Sequence, residues 1–250
     1  MKGLKQWKAL RTGPLFAGEE TGFVPTMGAL HDGHLSLLGR ARQENDLVVA
    51  SVFVNPAQFN DPQDLKRYPR PVAEDIKKLE GAGTDYLLLP SAADMYPDGY
   101  TYRVTETADS RGLCGACRPG HFDGVLTVVL KLLNLVRPDR AYFGEKDYQQ
   151  YRLIKGMAAA FFLDTEIVPC PTLREEDGLA LSSRNLLLEP RHRELAPALN
   201  KVLRSKSSPS EIKRKLAALG FKPDYVEERW GRRFAAAKLG NVRLIDNVKI

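Results

Sequence analysis

Residues 22–34 read GFVPTMGALHDGH, and this stretch decides the fold. GFVPT is short, apolar and suited to a buried strand. Gly28 then permits a tight turn, and from His34 the apolar spacing becomes helical, over 34–43. A strand passing through a glycine turn into a helix opens a βαβ unit. Working outward, LVVASVFV, YLLLP, AYFG and TEIVP read as further buried strands, with helical patterns over 72–81, 125–136 and 148–162 between them. Strands separated by helices of this length predict an α/β fold, a doubly wound parallel sheet.

Past Pro169 the texture changes. Residues 189–203 read as one helix, and a second starts with Ser208 as cap, Pro209 at the first helical position and Glu211 completing a capping box. Two strand-like runs follow, over 233–238 and 242–247. The expected division is a larger domain over 1–171 and a small α+β domain over 172–250.

Composition narrows the class. Of 250 residues, 43% are hydrophobic and 27% charged, as in a soluble globular protein, and no apolar run approaches the ~18 residues of a membrane helix. The opening MKGLKQWKALRTG has no signal-peptide core, so the expected compartment is the cytoplasm, with no membrane partner. The net charge of +6 is confined to the end: from residue 189 onward there are 15 Lys/Arg against 7 Asp/Glu, which leaves 22 against 24 before it. That quarter holds no nucleic-acid module, so a solvated basic face is expected and not a nucleic-acid partner. Three cysteines fit a reducing compartment. Cys114 and Cys117 form a lone C-x-x-C with only His121 nearby as a third ligand, and read as loop thiols.

In an open parallel sheet, ligands bind beyond the carboxyl ends of the strands. Three unusual segments fall there: PTMGALHDGH, NPAQF and GEKDYQQ. His31 and His34 stand one helical turn apart where free N–H groups favour phosphate, and Gly33 would let a flat ligand approach. The same pair is also compatible with a helix cap and a structural histidine. Lys146 opposes the helix dipole unless a polyphosphate shares the spot, and Gln150 lies one turn further on. In LSSRN, Ser182, Ser183 and Arg184 suit phosphate recognition. Asn55 and Gln58 offer neutral amides for a hydroxylated acid, or simply form a turn. Arg118 of RPGHF is the nearest group for a carboxylate. There is no Walker A sequence and no G-x-G-x-x-G.

H-x-G-H resembles the signature of the nucleotidyltransferase superfamily, which includes class I aminoacyl-tRNA synthetases. Together PTMGALHDGH, SVFVNPAQF, RPGHFDGV, FGEKDYQQ and GLALSSRN, in that order, resemble the pantoate–β-alanine ligase (pantothenate synthetase) family from about residue 22 to 185, resuming at DYVE and RLIDN. The resemblance implies a Rossmann-like domain binding ATP and pantoate, and a C-terminal lid shorter than is usual in the family. It implies ATP-dependent condensation of pantoate with β-alanine through a pantoyl-adenylate, releasing AMP and pyrophosphate.

Carried over by motif, Pro25, Thr26, Met27, Gly28, Ala29, Leu30, His31, Asp32, Gly33 and His34 contact ATP, with His34 assigned as catalytic acid. Phe143, Gly144, Glu145, Lys146, Asp147, Leu173, Leu181, Ser182, Ser183 and Arg184 complete the ATP site, with Lys146 on the phosphates. Gln58 and Gln150 bind pantoate, and Met27, Asn55, Tyr68 and Arg118 surround the substrate. His31, His34, Lys146 and Arg184 form the implied catalytic set. Magnesium accompanies ATP, near Glu74 and Asp75, and a homodimer is implied. Because a carboxylate is already ionised at pH 7, the attack needs no general base, and both histidines read chiefly as phosphate donors. Another H-x-G-H adenylyltransferase, or a non-catalytic nucleotide-binding regulator, remains open on these motifs.

Overall fold

The computed structural model describes residues 4–250; residues 1–3 of the expected first domain lie outside them. Five strands, β1 (Thr21–Thr26), β2 (Leu47–Val52), β3 (Tyr86–Leu88), β4 (Arg140–Gly144) and β5 (Glu166–Cys170), form a parallel sheet in the order β3-β2-β1-β4-β5. The expected doubly wound sheet is present. Its interior strands are buried on both faces: Phe23, Val24, Val48, Val49, Ala141 and Tyr142 are all fully buried. That two-sided burial is why these strands read as apolar runs and not as alternation.

Helices cover both faces: α1 (Leu4–Arg11), α2 (Asp32–Glu44), α3 (Pro62–Arg67), α4 (Val72–Gly81), α5 (Ala92–Met95), α6 (Cys114–Cys117), α7 (His121–Val136) and α8 (Tyr148–Ala160). α4 has the expected bounds. α7 begins four residues before the predicted 125, and α8 stops at Ala160, two residues short, where Phe162 turns to φ 54°. Cys114 and Cys117 lie on the helical turn α6 and not in a loop.

The C-terminal region comprises α9 (Pro190–Leu195), α10 (Ala198–Leu203), α11 (Pro209–Ala218) and an antiparallel sheet of β6 (Lys222–Arg229), β7 (Arg232–Leu239) and β8 (Val242–Lys249). The single helix expected over 189–203 is two, because Pro197 has no N–H to continue the ladder and its ring would meet the carbonyl four residues back. The Ser208 capping box is formed as predicted, with Glu211 reaching back to the Ser208 N–H. β6 is an additional strand. One face of this sheet packs Tyr225, Phe234 and Ala236 into the main core, while Val226, Ala235, Ala237 and Leu244 pack on the α10–α11 side.

Candidate active site

β1 and β4 are neighbours at the point where the strand order reverses, and α2 and α8, the helices that follow them, pack into separate core clusters. The crevice between the carboxyl ends of β1 and β4 is where an open α/β sheet binds ligands. A cavity of about 290 Å³ occupies it, walled by both sheets. Of the residues predicted to bind, Pro25, Thr26, Met27, His31, Gly33, His34, Asn55, Gln58, Tyr68, Arg118, Phe143, Gly144, Lys146, Asp147, Gln150, Leu173, Leu181, Ser182, Ser183 and Arg184 line it. Gly28, Ala29, Leu30, Asp32 and Glu145 are not part of the wall, and neither are Glu74 and Asp75.

The turn after β1 is held from below. Gly28 and Ala29 both take left-handed conformations, φ 77° and 50°. Asp75 of α4 accepts hydrogen bonds from the N–H groups of Ala29 (2.9 Å) and Leu30 (2.8 Å), and Lys78 Nζ, one turn on, donates to the Leu30 carbonyl (2.6 Å). A Cβ at Gly28 would meet the Asp75 carboxylate at 2.8 Å, so only glycine fits there. The two residues of the expected metal pair, Glu74 and Asp75, are not brought together on the cavity wall. Asp75 is buried and both its oxygens are committed to the turn, while Glu74 is exposed to solvent.

The histidines form a reciprocal cap. His31 precedes α2, and its Nδ1 accepts from the Gly33 N–H (3.1 Å); His34 Nδ1 accepts from the His31 N–H (3.4 Å). The cap and the site are one arrangement: with each Nδ1 accepting, each neutral ring carries its proton on Nε2. Burial lowers His34 to about 3 and His31 to about 4, with neighbouring cations, Lys146 among them, adding to the shift. At neutral pH both rings are uncharged donors. Gly33, on the cavity wall, also makes room for its own neighbour: a Cβ there would strike the His31 ring at 2.8 Å.

Opposite, α7 comes close enough that a Cβ at Gly124 would overlap the Ala57 carbonyl at 2.3 Å. This contact fixes the NPAQF turn. Asn55 is 1% exposed, donates to Gly124 O and Gln58 Oε1, and accepts from Tyr96 Oη (2.6 Å) and Ala57 N–H. Both amide hydrogens and the amide oxygen are therefore engaged within the protein, and Asn55 orients Gln58 on the cavity wall. Gln58 keeps its Nε2 edge toward the cavity, against Met27 Sδ at 3.2 Å. The following glutamines divide: Gln149 is buried and bonded to Asp109 O and Gly112 O, leaving Gln150 on the cavity wall.

His121 is a further residue of the cavity wall, beyond those the motifs marked. Its Nδ1 donates to Gln58 O (2.8 Å), which leaves Nε2 to accept from Arg118 Nη1 (3.1 Å). Burial and the Arg118 charge lower it to about 3, so it too is neutral. Arg118 also donates to Gln58 O and has no carboxylate partner among the described residues; burial and the repulsion of Arg184 lower it to about 10, still cationic at pH 7. Its place in RPGHF, three residues before His121, was the available signal. Arg184 is held by Asp64 of α3 at 2.8 Å, Ser183 Oγ lies 3.3 Å from Tyr68 Oη, and Lys146 Nζ lies 3.5 Å from Asp147. The C-terminal sheet contributes Arg243 and Asp246 to the wall; Asp246 is clamped by both nitrogens of Arg174 (2.8 and 2.9 Å). Away from the main cavity wall, Cys114 packs against Tyr225 Oη (3.1 Å) and Arg243, while Cys117 is exposed.

Residues 1–249 match the model of the family described as pantoate-beta-alanine ligase. A pantothenate synthetase of Bdellovibrio bacteriovorus is 58% identical over 229 residues, 92% of this chain and 91% of that protein. The crystal structure of a pantoate-beta-alanine ligase from Francisella tularensis, described as complexed with beta-gamma ATP and beta-alanine, superposes with a TM-score of 0.95 at 44% identity, covering 100% of this chain and 96% of that one. A pantothenate synthetase from Thermus thermophilus gives a TM-score of 0.90 at 43% identity, covering 100% of this chain and 98% of that one. The chain belongs to the pantoate–β-alanine ligase family.

Proposed function

We propose that this ligase joins pantoate to β-alanine through a pantoyl-adenylate, releasing AMP and pyrophosphate. The observation that carries the reading is the cavity's charge pattern. Uncharged histidine N–H donors and the cations of Arg118, Lys146 and Arg184 face one crevice, where Asp147 lies beside Lys146 and Asp246 is clamped by Arg174. Such a site suits a reaction in which anions meet and negative charge is redistributed.

ATP lies along the turn after β1 with its phosphates at the start of α2. His31 and His34 donate through Nε2–H, Lys146 enters from the turn after β4, and Arg184 and the Ser182–Ser183 hydroxyls close the third side. Arg118 holds the pantoate carboxylate, and Gln58 and Gln150 read the hydroxyls. A carboxylate oxygen attacks the α-phosphorus, the bond to the bridging oxygen breaks, and pyrophosphate leaves with the electron pair. The β-alanine amine then attacks the acyl carbon, AMP departs, and the ammonium proton passes to solvent. His34, neutral throughout, acts as a hydrogen-bond donor and not as a proton-releasing acid.

Mg²⁺ would accompany ATP and would supply neutralisation of phosphate charge. Among the described residues no group of three or more His, Cys, Asp or Glu could hold a metal, so no step is assigned to a protein-held ion. The C-terminal region, with its boundary near residue 171, acts as the wall over ATP. A cytoplasmic homodimer is the assembly proposed; among the described residues no helix is long and apolar enough to cross a membrane.

ATP–pyrophosphate exchange tests the reading. Exchange should require pantoate, proceed without β-alanine, and weaken when either pantoate hydroxyl is removed. Exchange that ignores pantoate, or nucleotide binding with no exchange, would overturn it.

A further inference from the structure

Lys146 sits on a short 3-10 turn, Glu145–Asp147, between β4 and α8. Its backbone is held from the C-terminal sheet. The Asn247 side chain of β8 donates one amide hydrogen to the Glu145 carbonyl (2.8 Å) and the other to the Lys146 carbonyl (3.0 Å). Its Oδ1 accepts from Arg232 Nη1 of β7 (2.8 Å), while Arg232 Nη2 reaches the Glu145 carboxylate (2.6 Å). The guanidinium carbon of Arg232 lies 4.0 Å from the centre of the Tyr148 ring. Asn247 is 3% and Arg232 6% exposed. Every hydrogen-bonding atom of the Asn247 amide is used, and neither residue lines the main cavity. A buried, saturated amide spent on two consecutive carbonyls 101 and 102 residues away fixes a backbone segment and not a ligand.

We infer that Asn247, braced by Arg232, is a positioning residue that sets Lys146 for catalysis. On this view the C-terminal sheet completes the phosphate site from behind, by holding the turn that carries the cation. The inference rests on the proposed role of Lys146 at the phosphates.

Asn247→Asp is the discriminating variant. It is nearly isosteric and keeps an acceptor for Arg232, but it replaces the donor with an oxygen facing two carbonyl oxygens. Steady-state kinetics on the full-length protein would compare N247D, K146A and the double variant, with circular dichroism and urea unfolding to verify the fold. N247D should lower kcat/KM for ATP roughly 10- to 100-fold, as displacement of a catalytic group does, with KM for pantoate changed less than about twofold. The double variant should be no worse than the poorer single one, because both remove the same contribution. If K146A is impaired and N247D behaves as wild type, or the two losses multiply, the positioning role is wrong while the Lys146 assignment stands. If K146A itself is unimpaired, both fall. Should N247D not fold, Arg232→Lys replaces it: lysine keeps the charge but cannot fork between Asn247 and Glu145. It should show the same loss and the same non-additivity, and normal kinetics would overturn the inference.

Discussion

Replacing Asp75 by asparagine separates a turn-holding carboxylate from a metal-binding one. Asp75 is 1% exposed and accepts two backbone N–H bonds, at 2.9 and 2.8 Å. Hydrogen bonds to a charged group contribute about 1.5–3 kcal/mol each. Asparagine keeps one acceptor but turns an NH₂ group toward the second N–H, losing one bond and leaving a buried donor against a donor. The expected cost is about 3 kcal/mol, a sizeable part of the roughly 5–15 kcal/mol that holds a domain folded. At about 2–4 °C per kcal/mol for a chain of this size, Tm should fall by roughly 6–12 °C. Because the bonds hold the left-handed pair Gly28–Ala29 just before His31, kcat/KM for ATP should also fall by about 10²-fold. The measurement is thermal unfolding in chelator, alongside ATP kinetics over a magnesium titration. An unchanged Tm in chelator, with turnover now demanding more magnesium, would refute the turn-holding role and favour the metal assignment.

His34→Ala and Lys146→Ala should each keep the fold and lower turnover by about 10²-fold or more, as removal of one preorganised donor does; near-normal kinetics in both would overturn their roles. Arg118→Met should raise KM for pantoate at least tenfold with little change in KM for ATP, and equal effects on both would misplace the carboxylate. Two of the histidines also predict how stability follows pH. Burial holds His34 and His121 at about 3, against 6.5 ordinarily, so below pH 6.5 the unfolded chain takes up protons that the folded one refuses. Stability is therefore full above about pH 6.5 and should fall by roughly 2 kcal/mol per ring by pH 5. Urea unfolding at pH 8 and pH 5 checks this, and NMR titration should find neither ring protonating between those values.

The local signals were the readable ones. GFVPT running into MGALHDGH carries its own turn and helix start, and Ser208-Pro209 with Glu211 announces a helix, because each depends on residues within a turn or two. What stayed hidden depends on distant partners. Asn55 looks like a free amide until Tyr96, 41 residues away, fills its oxygen. Asp75 looks like half of a metal pair until Ala29 and Leu30, 46 and 45 residues before it, claim both oxygens. β6 does not read as a strand because KPDYVEER contains Pro223 and five charges, whose three acids find their partners only on folding: Asp224 with Arg243, Glu228 with Arg233 and Glu227 with Arg229. The histidine pair was legible as residues but not as geometry. Reading it as either cap or donor sets up a false choice, since capping through Nδ1 is what leaves Nε2–H to donate.

Adenylate chemistry predicts the fate of one oxygen atom. Pantoate labelled with ¹⁸O in its carboxylate, turned over with ATP and β-alanine, should transfer one label to the phosphate of AMP and none to pyrophosphate, as mass spectrometry of the products would show. AMP free of label, or label in pyrophosphate, would contradict attack of the carboxylate on the α-phosphorus.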